Sequence, residues 1–324
     1  MLMEQELVLQ VQNLVKKFAL PQPLWDFSAK KYFTAVDDIS FSLHRGEILG
    51  LLGTNGAGKT TTIQMLLSLM KPTSGDITYF GKNFADHRSA ILHHVSFAST
   101  YVKLPGKLTI AENLNIYGKL YGLSSIQCKE RIEKYLKFFG MWNVRDKETA
   151  LLSAGQITRV MLAKAFISEP MVVLLDEPTA SLDPDIAHDV RHFVLEQQRE
   201  RGVSILFTSH NMDEVAEVCD RVLVLKRGVI IANATPEELA RSVSTAHITL
   251  VVNEGLELLH TYLSEHQFTY TTEKAHITIS VDEQRIAKFL MEIARSGISY
   301  SYIAIDRPTL EDYFLSVAQQ NNKD

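Results

Sequence analysis

"EILGLLGTNGAGKTTTIQML", residues 47 to 66, carries the signals that settle the fold class. EILGLL is a short apolar run without alternation, the pattern of a strand buried on both faces of a parallel sheet. TTIQMLLSLM downstream reads as a helix, and between the two Gly53, Thr54, Asn55, Gly56, Ala57, Gly58, Lys59 and Thr60 match G-x-x-x-x-G-K-S/T. Strand, glycine-rich loop and helix follow in the order a phosphate cradle requires. Glycines let successive amides turn inward around phosphate oxygens, and the helix N-terminus adds partial positive charge. Lys59 is then expected on the β- and γ-phosphates of a nucleotide, with the Thr60 hydroxyl on Mg²⁺.

Working outward, MVVLLD (171 to 176) and SILFTS (204 to 209) are further unalternating apolar runs, whereas ISFSL (39 to 43) alternates like a half-buried strand. Helical stretches separate them, which predicts an α/β body. Asp176 ends one buried strand, where its carboxylate can hold Mg²⁺ through water. Glu177 beside it is placed to polarise an attacking water. Thr109 with Glu112, and Ser124 with Gln127, fit reciprocal capping boxes that open helices in an inserted region. Ser153 with Gln156 fits a third box, yet Gly155 stands inside that first turn at a cost of about 1 kcal/mol relative to alanine.

After the hairpin-like VLVLKRGVIIAN, a helix start at Thr235, Pro236 and Glu238 precedes a change of composition, and the domain boundary is expected near 243. The tail, 244 to 324, repeats itself: AHITLVVNE (246 to 254) and AHITISVDE (275 to 283) each precede an amphipathic stretch and a second strand-like run. Two βαβ units of this length predict a small ferredoxin-like α+β domain, βαββαβ. A last helix over PTLEDYFLSVAQQ is expected to close the chain.

The chain has 324 residues and a net charge of -5, so no global positive field advertises nucleic-acid binding. Cys128 and Cys219 lack metal or redox spacing, the N-terminal residues do not resemble a signal peptide, and no apolar run approaches the length of a membrane span.

LSAGQ (152 to 156), standing before MVVLLDEPTASLD and followed by ILFTSH, resembles the ATP-binding cassette (ABC) ATPases, whose signature is most often LSGGQ. The resemblance covers about residues 5 to 235. It implies a P-loop NTPase of ABC type over 1 to 243: a RecA-like core, an antiparallel β subdomain and an inserted helical subdomain at about 100 to 165. It also implies roles for residues: Gly53 to Thr61 on the phosphates of ATP, Asp176 and Thr60 on Mg²⁺, Glu177 as catalytic base, and His210 as the switch histidine near the γ-phosphate. Ser181, Leu182 and Asp183 match the loop that crosses to a partner subunit. Ser153, Gly155 and Gln156 match the helix end that meets ATP held by that subunit, which supplies a reason for the glycine and implies dimerisation.

Motif spacing and the ending PTLEDYFL look like the daunorubicin-resistance type of exporter subunit. That likeness implies a second copy of the chain, a separate polytopic membrane permease, and a place in the cytoplasm against the inner face of the membrane. A soluble ABC ATPase acting on nucleic acid or ribosomes is the competing class, but it usually carries two cassettes or a coiled-coil insertion. A regulatory ATPase of low turnover is the third. The sequence departs from the family where a glutamine is usual before the LTIAENL helix start: Thr100 stands there, and no glutamine is near. Ala154 replaces the usual signature glycine. For the aromatic that stacks on adenine, Tyr32 and Phe33 are the two candidates. For the tail, reinforcement of the dimer and a regulatory ligand site both stand.

Overall fold

The computed structural model describes residues 6–20, 31–99, 103–180, 182–243, 245–274 and 276–319. Two compact units make up the chain, Met1–Thr235 and Pro236–Asp324.

A six-stranded sheet forms the centre of the first unit, in the order Val229–Ala234, Arg221–Lys226, Ile48–Gly53, Ser204–Thr208, Val172–Asp176, Val95–Ser99. All neighbours pair in parallel except the edge hairpin, whose turn carries positive φ at Arg227 (50°) and Gly228 (84°). The expected apolar runs are the buried strands: every residue of Val172–Asp176 and of Ser204–Thr208 is buried. A second, antiparallel sheet joins Tyr32–His44, Leu7–Ala19, Ser74–Tyr79 and Lys82–Asn83. There Ile39, Phe41 and Leu43 point into the core, as the alternation predicts.

Three helices build the inserted region, Ile110–Leu120, Ser125–Phe138 and Ala154–Phe166, and each opens on its expected capping box. Phe193, on the long helix Pro184–Arg201, ties this insert to that helix. Its ring lies 4.7 to 6.2 Å from those of Phe138, Phe166, Phe139 and Tyr135. Contacts of this kind contribute about 0.5–1.5 kcal/mol each beyond burial, and they fix the helix that carries the signature.

The second unit is the expected βαββαβ domain. Its antiparallel sheet runs Thr269–Glu273, His276–Asp282, Thr245–Glu254, Ser299–Asp306, with helices Leu256–Glu265 and Ile286–Arg295 supplying Leu259, Leu263, Phe289 and Ile293 to one buried face. The repeated AHIT strands pair with each other, and the matching threonines of the two copies, Thr249 and Thr278, stand opposite, Oγ1 to Oγ1 3.3 Å. Duplication therefore acts as local two-fold symmetry. The expected boundary at 243 is corrected to Thr235/Pro236. Helix Pro236–Arg241 packs on the last helix, Leu310–Gln319, so it belongs with the tail.

Candidate functional site

Strand Ile48–Gly53 delivers the glycine-rich loop, and helix Lys59–Leu66 leaves it. Gly58 adopts φ 109°, and a Cβ there would stand 2.6 Å from the carbonyl oxygen of Ala35. Only glycine lets the antiparallel sheet press against the loop this closely. The Gly228 amide donates to Ala57 O (3.0 Å), and Asp37 N donates to Gly228 O (2.9 Å), closing the same junction.

Lys59 donates its Nζ to Gly53 O (2.5 Å) and Thr54 O (3.3 Å), so the ammonium lies over its own loop. Burial pushes its pKa down, and the nearby carboxylates of Glu177 and Asp176 pull it back up. Asn55, Gly56 and Thr60 are exposed, while Gly53 and Thr61 are half-buried.

Opposite the loop, parallel register sets Ser99, Asp176 and Thr208 side by side at the ends of three strands. Asp176 is 6% exposed. Its Oδ1 accepts from Thr208 Oγ1 (2.8 Å) and its Oδ2 from Ser99 Oγ (3.2 Å). A buried carboxylate fixed by two hydroxyls, with the exposed Thr60 hydroxyl on the facing helix, fits a magnesium ion that keeps most of its waters. Asp176 and Thr60 are the residues that would hold it.

Glu177 takes a left-handed backbone, φ 52°. A non-glycine residue there costs on the order of 1–3 kcal/mol, and such costs gather at functional sites. The conformation is held because Glu177 N donates to Thr208 O (3.1 Å) and Thr208 Oγ1 (3.0 Å). From this turn the Glu177 carboxylate meets His210, Oε1 to Nδ1 3.2 Å. The Glu177 side chain is 21% exposed and that of His210 72%.

Glu177, though not His210, opens on a cleft of about 650 Å³ lined also by the loop from Asn55 to Thr61, by Ser99 and Asp176, and by Phe18 and Phe33. Tyr32 and Phe33 are consecutive on a strand, so they face opposite sides. Of the two candidates, Phe33 lines the cleft and Tyr32 is not among its lining residues. Sequence reasoning passed over Phe18, which pairs directly across from Phe33 on the neighbouring strand. Both side chains line the cleft and are exposed.

The signature lies apart from this cleft. Ser153 N donates to Gln156 Oε1 (3.1 Å) and Gln156 N to Ser153 Oγ (3.3 Å), the predicted box. Ser153 and Ala154 are exposed and Gly155 is half-buried. None of Ser153, Gly155 and Gln156 lines the cleft. Asp183 is exposed at the N-cap of helix Pro184–Arg201. Thr100 and Ser181 lie outside the described residues. Ser99 and Thr208 were the functional positions missed as such; a hydroxyl at a strand end carries no signal until register is known.

Residues 36–180 match the family described as ABC transporter. The chain is 32% identical over 305 residues to the Nod factor export ATP-binding protein I of Ralstonia nicotianae, covering 90% of this chain and 91% of that one. It is 33% identical over 263 residues to an Escherichia coli protein named probable multidrug ABC transporter ATP-binding protein YbhF, covering 81% of this chain. It spans only 43% of that protein's length. Among solved structures, an ATP-binding subunit of an ABC transporter superposes with a TM-score of 0.64 at 28% identity, covering 72% of this chain and 92% of the other.

Proposed function

From a chain that belongs to the ABC transporter family as an ATP-binding subunit, we propose an ATP-hydrolysing engine in which two copies sandwich two ATP molecules and drive a separate membrane permease. One observation carries the reading. The cleft is lined by the phosphate loop, the Asp176 carboxylate and Glu177, whose carboxylate meets His210, yet the signature helix end of its own chain is not part of that lining. A second copy completes the site by presenting Ser153, Gly155 and Gln156 to the γ-phosphate, with Asp183 on the loop that crosses to it.

In this mechanism Asp176 and Thr60 would hold Mg²⁺, which would supply positive charge against the charge developing on the phosphates. Lys59 swings from its loop carbonyls to the β- and γ-phosphates. Glu177 takes a proton from the attacking water while His210 holds the carboxylate's orientation. Phe33, with Phe18 beside it, offers a face to adenine. Export as the direction of transport rests on the name of the Ralstonia relative. Among the described residues no helix is long and apolar enough to cross a membrane, consistent with a permease on another chain and attachment at the cytoplasmic face of the membrane.

Glu177→Gln is expected to bind Mg-ATP without turnover and to run as a dimer by light scattering. Adding Ser153→Arg should return it to monomers that still bind ATP. Persistent monomers of Glu177→Gln with ATP bound would overturn the sandwich.

A further inference from the structure

Behind the Glu177–His210 pair sits a carboxylate to which none of the motifs gives a role. Glu214 is 7% exposed, on the short helix Met212–Val218. Its Oε2 accepts from Thr179 Oγ1 (2.6 Å) and from Ser209 Oγ (2.9 Å). Its Oε1 is 3.3 Å from Arg191 Nη1, and Arg191 Nε in turn reaches Glu217 Oε2 at 2.6 Å. These partners come from three places that the chemistry needs in register. Thr179 follows Glu177 by two residues, Ser209 immediately precedes His210, and Arg191 rides the helix that opens at Asp183. Ser209 Oγ also accepts from Asn211 N (3.0 Å), so the turn carrying His210 is closed on the same hydroxyl.

Resting on the ATPase reading, we infer that Glu214 is a positioning residue for hydrolysis: it clamps the loop after Glu177 to the turn before His210 and ties both to the helix bearing Asp183. An ionised carboxylate accepts only, so it can take both hydroxyl donors and the guanidinium at once. Such charge-assisted bonds are about twice as strong as neutral ones. Glutamine keeps an acceptor for the hydroxyls but presents an amide N–H to Arg191. Alanine leaves all three donors without this partner.

The test uses the full chain. Glu214→Ala should lower kcat for ATP by about 10- to 100-fold, while KM and the affinity for a fluorescent ATP analogue stay within about twofold. Glu214→Gln should fall between Ala and wild type. Combining Glu214→Ala with Thr179→Val should cost less than the product of the single effects, because both remove one clamp. Amide hydrogen exchange provides a readout free of turnover: segments carrying Thr179 and Ser209 should exchange faster in Glu214→Ala and in Thr179→Val, the latter serving if the former does not fold. A wild-type chain that hydrolyses no ATP refutes the ATPase reading, and the exchange result still decides the clamp. Unchanged exchange, kcat within twofold of wild type, or kcat and affinity lost together would overturn it.

Discussion

Replacing Thr208 by valine keeps the shape of a buried strand end and deletes one hydroxyl, so its effect isolates a single polar junction. Thr208 is 0% exposed and Asp176 6%, so water cannot readily substitute for the lost donor. The hydroxyl gives Asp176 Oδ1 its 2.8 Å bond and accepts from Glu177 N at 3.0 Å. Two bonds survive: Ser99 Oγ to Asp176 Oδ2 at 3.2 Å, and Glu177 N to Thr208 O at 3.1 Å. A hydrogen bond to a charged group is worth about 1.5–3 kcal/mol, and the surviving contacts place the loss near the middle, about 2 kcal/mol. With a urea m-value of about 3 kcal/mol/M, the unfolding midpoint of the cassette unit should fall by roughly 0.7 M with m unchanged. The Mg²⁺ concentration needed for half-maximal ATP turnover should rise in the same variant, since Asp176 keeps one fixed oxygen and loses the other's partner. A midpoint within about 0.2 M of wild type would refute the assignment of Thr208 as the anchor of Asp176 and Glu177.

Lys164 offers a pH test. Burial pushes its pKa down from 10.5 to about 8, and its Nζ lies 5.1 Å from the ring centroid of Tyr117. The unfolded chain holds more protons at this lysine between pH 8 and 10.5, so stability should climb with pH across that window, and the cost of the buried charge is fully present below it. At about 1.4 kcal/mol per pH unit the cost is at most roughly 3.5 kcal/mol. Lys164→Met should raise the urea midpoint at pH 7 and flatten the climb; a variant that parallels wild type between pH 7 and 10 would sink the idea. At the cleft mouth, Phe33→Ala should weaken ATP binding by about 1–2 kcal/mol while Tyr32→Ala changes it little, measured by titration with a fluorescent ATP analogue. Equal losses would refute Phe33 as the ring that singly faces the adenine.

The phosphate loop was legible because its chemistry constrains consecutive residues. Gly53, Gly58, Lys59 and Thr60 each answer to a local demand of turn, close approach or charge, and the flanking strand and helix announce themselves by pattern. The two-fold tail was legible for a similar reason, since the repeated AHIT strands carry their own pairing rule. Ser99 and Thr208 were not, because their value comes from lying beside Asp176 in a parallel sheet, and parallel register joins strands far apart in sequence. Glu214 is the same case at greater distance: an acidic residue on an ordinary helix until Thr179, Ser209 and Arg191 converge on it. The boundary near 243 was missed because Pro236 signals a helix start but not which unit the helix packs against.

Gly155 shows how a local cost becomes intelligible only through what the helix end leaves unpaired. The first turn of a helix has donors without intrahelical partners. The capping box at Ser153 engages two of them, the amides of Ser153 and Gln156. The intervening amides of Ala154 and Gly155 lie outside the box, at a turn whose first residues are exposed. A helix built for stability alone would place alanine at 155 and gain about 1 kcal/mol. Leaving out the Cβ there clears the approach to the two amides that the box does not use, where the helix end is most positive. On the proposed reading an oxygen of the γ-phosphate held by the other copy is what approaches. The family's more usual glycine at the neighbouring position clears the same path, and Ala154 narrows it by one methyl group without adding charge or a competing donor.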